Sequence, residues 1–241
     1  MSARPPLAPA PPADVVAARL EALGRRVAAT GRDPSTVRVV AVTKGFDVTA
    51  VAAALGAGVV DIGENYATEL VAKAALAAGA DGGPRPRWHY LGAVQRRRVR
   101  DLAPVVGCWQ TVARVVEAEV IAGRAPGACV LVEIEVSGRD GRNGCSPAEA
   151  GALVDRCRAL DLDVRGLMVV APPGGVEVAR AAFRTTARLG AALGLAELSM
   201  GMTGDLDVAV EEGSTMVRVG RALFGPRPEA ADRAREAPLT P

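Results

Sequence analysis

At 241 residues the chain is long for one domain but within the range of a single α/β barrel. Its 49% hydrophobic and 23% charged residues are the composition of a globular protein with a sizeable core, and a net charge of +2 excludes a strong electrostatic pull toward nucleic acid or an acidic membrane surface. No apolar run reaches the length of a bilayer-spanning helix, and Cys108, Cys129, Cys145 and Cys157 form no CxxC pair or Cys/His cluster. The expectation is a cytoplasmic protein with reduced thiols and no metal site.

Residues 1–12 are proline-rich without an apolar signal core and read as a disordered leader. Asp14–Thr30 carries Val16, Leu20, Leu23 and Val27 at helical spacing. A regular alternation follows. The β-branched run Val37–Thr43 precedes the alanine-rich helix Thr49–Leu55, and Val59–Ile62 precedes a helix ending near Ala78. Trp88–Leu91 leads to a basic helix from Gln95 to about Leu102, and Cys108–Val112 to a helix ending near Ala122. The strand Cys129–Val136 leads to Ser146-Pro147-Ala148-Glu149, a helix start with Ser as cap, Pro next and Glu reaching back. Val164–Val170, Glu197–Met200 and Met216–Val219 complete eight strands, separated by helices Val176–Leu193 and Asp205–Glu212. Eight strand–helix units with apolar strands predict a single (β/α)8 TIM-type barrel over residues 13–228, with an extra N-terminal helix and a polar tail at 229–241. Periodicity alone leaves an open parallel sheet as the alternative.

In a parallel barrel, function collects where the strands end. The first strand ends in Thr43-Lys44, the second in Gly63-Glu64-Asn65-Tyr66; the third contains His89, the only histidine. The seventh runs into Ser199-Met200-Gly201-Met202-Thr203, and the eighth carries Arg218 before Gly220-Arg221. Of 29 basic residues only Lys44 and Lys73 are lysines. Where arginine serves for charge, a retained lysine points to a primary amine put to use. Lys73 lies in an amphipathic stretch and reads as a solvated surface charge, which leaves Lys44.

The chemistry that joins these residues is pyridoxal 5′-phosphate (PLP) binding. An amine in a low-dielectric barrel mouth has a lowered pKa and condenses with an aldehyde. The loops at Ser199, Met200 and Gly201 and at Gly220-Arg221 would offer amides to a phosphate. Arg218 would face the pyridine nitrogen and keep it unprotonated, weakening the ring as an electron sink. Plainer readings stand beside these. Lys44 also fits a barrel lysine paired to Glu64 or Glu135, and His89, between Trp88 and Tyr90, also fits a hydrogen-bonded core histidine. Met200 and Met202 fit packing residues flanking a turn glycine, Arg218 fits a structural ion pair, and Arg96-Arg97-Arg98 a solvated helix face.

The segments Val40–Lys44, Ile62–Tyr66, Trp88–Gly92, Gly166–Met168, Leu198–Thr203, Glu211–Gly220 and Leu223–Gly225 occur in the order seen in the pyridoxal phosphate homeostasis proteins, which the chain resembles over residues 37–225. The resemblance implies PLP held as a Schiff base on Lys44, Arg218 beside the pyridine nitrogen, Ser199, Gly201 and Gly220 around the phosphate, and Asn65 along the ring. The chain departs from the family pattern at Arg221, where a small hydroxyl residue is usual, and at Arg96–Arg98, where Asn and Lys are usual. The expected function is a monomeric, non-catalytic carrier in PLP homeostasis that buffers the cofactor or delivers it to PLP-dependent apo-enzymes. The alternative is a PLP-dependent amino-acid racemase. Two-base racemisation needs a second acid/base; alanine racemases draw a tyrosine from a C-terminal β domain, and neither Tyr66 nor Tyr90 lies in a comparable segment.

Overall fold

The computed structural model describes residues 7–78, 83–139 and 141–226. The short apolar runs form eight parallel strands: β1 (Arg38–Val42), β2 (Asp61–Glu64), β3 (Arg87–Tyr90), β4 (Val106–Val112), β5 (Cys129–Ile134), β6 (Asp163–Val169), β7 (Glu197–Ser199) and β8 (Met216–Val219). They pair in chain order, and β8 returns to β1 in the register Arg38↔Met216 through Ala41↔Val219. The sheet is therefore a closed barrel, and the open alternative is excluded.

The helices are α1 (Ala13–Ala29), α2 (Thr49–Gly56), α3 (Ala67–Ala78), α4 (Arg96–Leu102), α5 (Val115–Ala122), α6 (Ala150–Ala159), α7 (Val176–Ala192), α8 (Leu206–Glu211) and α9 (Arg221–Phe224), with a 3-10 turn at Pro34–Thr36. Among the described residues, β8 is followed by the four-residue α9 alone. The outer ring is completed instead by α1, which buries Val16, Leu23 and Val27 and packs against α2 and α8. A bidentate pair from Arg26 Nε and Nη2 to Asp207, both at 3.0 Å, fastens its far end. The helix that the sequence presents as an addition thus occupies the eighth outer position of the barrel.

Local signals place most boundaries within two residues. β2 starts at Asp61, because the Val59 amide is still bound to the Ala54 carbonyl at the end of α2. In the Ser146–Glu149 segment Glu149 reaches back as expected, its Oε2 accepting from the Ser146 amide at 3.0 Å and hydroxyl at 2.6 Å, but the Ser146 hydroxyl caps no amide and the helix proper begins at Ala150. The main apolar core lies between the strands and the helices. Inside the barrel are a smaller cluster of Cys108, Leu131 and Met168 and a set of buried polar side chains.

Residues 7–12, expected to be part of a disordered leader, lie along the loop after β1. Ala8 bridges Phe46, its carbonyl accepts from the Asp47 amide at 2.8 Å, and the Ala10 amide donates to Thr49 Oγ1 at 2.9 Å. Residues 1–6 and the tail at 229–241 lie outside the described residues.

Candidate functional site

The C-terminal ends of the strands open onto a cavity of about 870 Å³, within the size range of small-molecule sites. Lys44, Asn65, Glu133, Arg218, Gly220 and Arg221 all line it, as do Thr203 and the Pro172–Gly175 rim. The predicted residues from β1, β2 and β8 therefore meet in one space. His89, Ser199, Met200 and Gly201 do not line it.

Lys44 stands at the second position of a turn, Thr43-Lys44-Gly45-Phe46, closed by a 3.1 Å bond from the Phe46 amide to the Thr43 carbonyl. Gly45, the third residue, has φ +86°, which a side chain resists and this turn geometry requires. The turn rests on a buried ionic cluster. Lys73 Nζ, on α3, donates to the Thr43 carbonyl at 2.8 Å and to Glu64 Oε1, and lies 3.5 Å from Glu69 Oε2. The Thr43 hydroxyl donates to the same Glu64 oxygen at 2.8 Å, and the Gly45 amide to Glu69 Oε2 at 3.1 Å.

Lys73 is thus no surface charge: it is 2% exposed, and Glu64 is wholly buried. An ammonium with three donors suits three acceptors in a closed space, which a planar guanidinium does not. Of the two carboxylates that the plainer reading offers to Lys44, Glu64 is engaged by Lys73. The other candidate, Glu135, accepts from Ser137 and Gly138 in its own loop. Burial pushes the Glu64 carboxyl above its ordinary pKa, with Lys73 and Thr43 opposing. The scarcity of lysine that drew attention to Lys44 applied equally to Lys73. In the folded chain Leu70, Lys73 and Ala74 share one helical face, and all are buried.

Arg218 is buried on β8. Its Nη1 donates to the Ser199 carbonyl at 2.6 Å and hydroxyl at 2.8 Å, and its Nη2 to the Val169 carbonyl at 2.9 Å. Burial lowers its pKa to about 10, with Glu133 and Asp205 opposing, so the guanidinium stays charged at neutral pH. Ser199 Oγ donates in turn to Gln110 Oε1 at 2.7 Å, and Gln110 Nε2 lies 2.7 Å from His89 Nδ1. Because Gln110 Nε2 is a donor, His89 Nδ1 accepts, and its proton sits on Nε2, 2.8 Å from Asp61 Oδ1. One unidirectional chain of donors therefore crosses the barrel, Arg218→Ser199→Gln110→His89→Asp61.

The chain ends on a firm anion. Burial works to raise the Asp61 pKa, but the bonds from His89 and Arg87 hold it at about 2. Burial lowers the pKa of His89, outweighing Asp61, which keeps the ring neutral.

Four of the expected site residues make other contacts in this structure. His89 is the hydrogen-bonded core histidine of the plainer reading, removed from the cavity. The Ser199 side chain is spent on Arg218 and Gln110, and Met200 is fully buried. At Gly201, φ is +92° and a Cβ would come within 2.5 Å of Ala209 Cβ, so glycine there permits β7 to pass close to α8. Gly220 and Arg221 do line the cavity, at the start of α9, where the first hydrogen bonds from the helix to the Gly220 carbonyl begin at Leu223. The Ala222 amide is taken by Thr203 Oγ1 at 3.3 Å.

Thr203, the last residue of the Ser199–Thr203 segment, and Glu133 line the cavity without having been expected in the site. Glu133 is interior-facing on β5, two residues beyond the interior Leu131. Asn143 Nδ2 donates to Glu133 Oε2, and burial raises the pKa of that carboxyl, with Asn143 and Arg218 opposing.

The alanine racemase N-terminal domain family matches residues 16–228. A pyridoxal phosphate homeostasis protein of Pseudomonas aeruginosa is 36% identical over 220 residues, covering 88% of this chain and 93% of its own length. Its counterpart from Deinococcus radiodurans is 38% identical over 216 residues, covering 87% and 99%. Among solved structures, PipY of Synechococcus elongatus without PLP superposes with a TM-score of 0.77 at 31% identity, covering 87% of this chain and all (100%) of PipY. PipY has also been solved with PLP bound, at a TM-score of 0.73.

Proposed function

The chain belongs to the pyridoxal phosphate homeostasis protein family, and from that premise we propose that it binds PLP in the barrel-mouth cavity with the Lys44 amine as covalent anchor. PLP supplies an aldehyde that condenses reversibly with primary amines. The observation that carries the assignment is the turn at Lys44, which presents the amine to the cavity while the buried Lys73–Glu64–Glu69 cluster fixes the backbone beneath it. The other cavity groups suit the rest of the molecule. Gly220, Arg221 and Thr203 lie where α9 begins, a place suited to an anionic phosphate, and Asn65 lies beside Lys44 on the neighbouring strand end. Arg218 supplies a permanent cation that disfavours protonation of a ring nitrogen placed near it.

That cation underlies the proposed role, a monomeric intracellular carrier that stores PLP and passes it to apo-enzymes without turning over amino acids itself. A second reading has one observation in its favour. β5 lies opposite β1 in an eight-stranded barrel, so Glu133 faces the cavity from the side across from Lys44, as a second proton-transfer group would. Solvent deuterium incorporation at the α-carbon of amino acids, by PLP-loaded protein, separates the two. The carrier gives negligible exchange, whereas rapid exchange abolished by Glu133→Gln establishes the enzyme.

The anchor is tested by borohydride reduction and peptide mass analysis. The expected adduct is on the peptide containing Lys44; an adduct on Lys73, or on no lysine, overturns the assignment.

A further inference from the structure

We infer that Cys108 and Cys129 form an oxidisable dithiol site at the closed floor of the barrel, which takes up two electrons' worth of oxidation from a hydroperoxide and becomes a disulfide. The residues precede the paired positions Trp109↔Val130 on the neighbouring strands β4 and β5, so they stand side by side near the strand starts, at the end away from the cavity. Their sulfurs are 3.1 Å apart, in S–H···S contact. Strands in a sheet lie about 4.8 Å apart, within the Cα separation of about 4.4–6.8 Å that a disulfide spans. Closing the sulfurs to a bonded distance of about 2.05 Å needs roughly 1 Å of movement, which side-chain rotation supplies.

The surroundings divide the labour. Cys108 is buried, in the small cluster with Leu131 and Met168; Cys129 is half-buried. The hydrogen bond shared with Cys108 lowers the pKa of the Cys129 thiol, against burial, and Arg165 assists while Glu197 and Asp163 oppose. The same bond and burial raise Cys108, with Glu197 adding to the rise and Arg87 opposing. Cys129, the more exposed and more acidic of the two, is therefore the sulfur that a peroxide meets, and Cys108 is the resolving thiol behind it. Cys145 and Cys157 provide an internal contrast, since burial pushes each up to about 11.

The chemistry balances with the hydroperoxide as oxidant. The Cys129 thiolate attacks one peroxide oxygen, the O–O bond breaks, and a sulfenic acid and hydroxide (or alkoxide) form. The Cys108 sulfur then displaces the hydroxyl group from Cys129 as the S–S bond forms. With hydrogen peroxide, two thiols lose two protons and two electrons in all, and two waters leave.

The test is stoichiometric hydrogen peroxide added to the folded full chain, followed by alkylation and peptide mass analysis without reductant. The expected product joins the Cys108 and Cys129 peptides with loss of two hydrogens, leaves Cys145 and Cys157 alkylated, and reverts with dithiothreitol. In Cys129→Ser, the other thiols stay alkylatable. In Cys108→Ser, Cys129 oxidises to the sulfenic acid, trapped by dimedone, without a cross-link. Full alkylation of both residues after peroxide treatment overturns the site. So does a cross-link to any other cysteine, or unchanged peroxide reactivity of Cys129 when Arg165→Ala and wild type are compared.

Discussion

Lys73 and His89 are the residues whose surroundings say most about how the cavity is held. Lys73 sits 2% exposed among the Thr43 carbonyl, Glu64 and Glu69, so its removal leaves a buried carboxylate without its main counter-charge. Breaking such a pair from one side costs about 3–5 kcal/mol. Lys73→Met is expected to lower stability by that amount in urea unfolding and also to slow borohydride trapping at Lys44, because the turn loses its floor. Lys73→Arg should rescue neither, since the acceptors are arranged for an ammonium. His89 gives a pH signature. Its folded-state pKa is lowered below the ordinary 6.5, so below that pH the unfolded chain takes up a proton that the folded chain resists. The stability associated with the neutral ring is complete above about pH 6.5 and declines as pH falls. In His89→Gln, which can still accept from Gln110 and donate toward Asp61, the slope of unfolding free energy between pH 6.5 and 5 should flatten. An unchanged slope would show that His89 is protonated in the fold.

At the scale of elements, the turn after β1 and the floor beneath it belong to different parts of the chain. β1 delivers Thr43, β2 delivers Glu64, and α3 delivers Glu69 and Lys73. The Thr43-Lys44 segment was legible because a lysine ends an apolar strand, and that local pattern survives folding. Its partners were not legible, since nothing local distinguishes a lysine on the inner face of an amphipathic helix from one at its edge until the helix is docked. Gly45 tests the turn itself. Gly45→Ala forces a side chain to φ +86°, at a cost of about 1–2 kcal/mol. It should reduce both thermal stability and the rate of trapping at Lys44, whereas a variant affecting only global stability would leave the rate intact under folding conditions.

For the whole molecule, the decisive feature is closure. The β8–β1 register completes the strands, and α1 fills the outer place that the short α9 leaves open. If α1 is an integral wall of the barrel, Leu23→Ala, at a position 3% exposed, should cost about 2–5 kcal/mol, while Arg26→Ala, in a half-exposed pair, should cost at most about 1 kcal/mol. Equal, small effects on chemical denaturation would mean that α1 is an appendage. The sequence by itself determined the eight strand–helix units, the Lys44 strand end, and the convergence of Asn65, Arg218, Gly220 and Arg221. Each of these follows from short-range periodicity, or from the rule that strand ends gather at one face. Only the tertiary structure decided that Lys73 is internal and that Glu133 and Thr203 line the cavity. It also turned Ser199 and His89 into links of a hydrogen-bonded chain behind Arg218. Those roles depend on which side chains meet across strands and helices distant in sequence, where partners compete for the same donors and acceptors, and that competition is resolved only when the barrel closes.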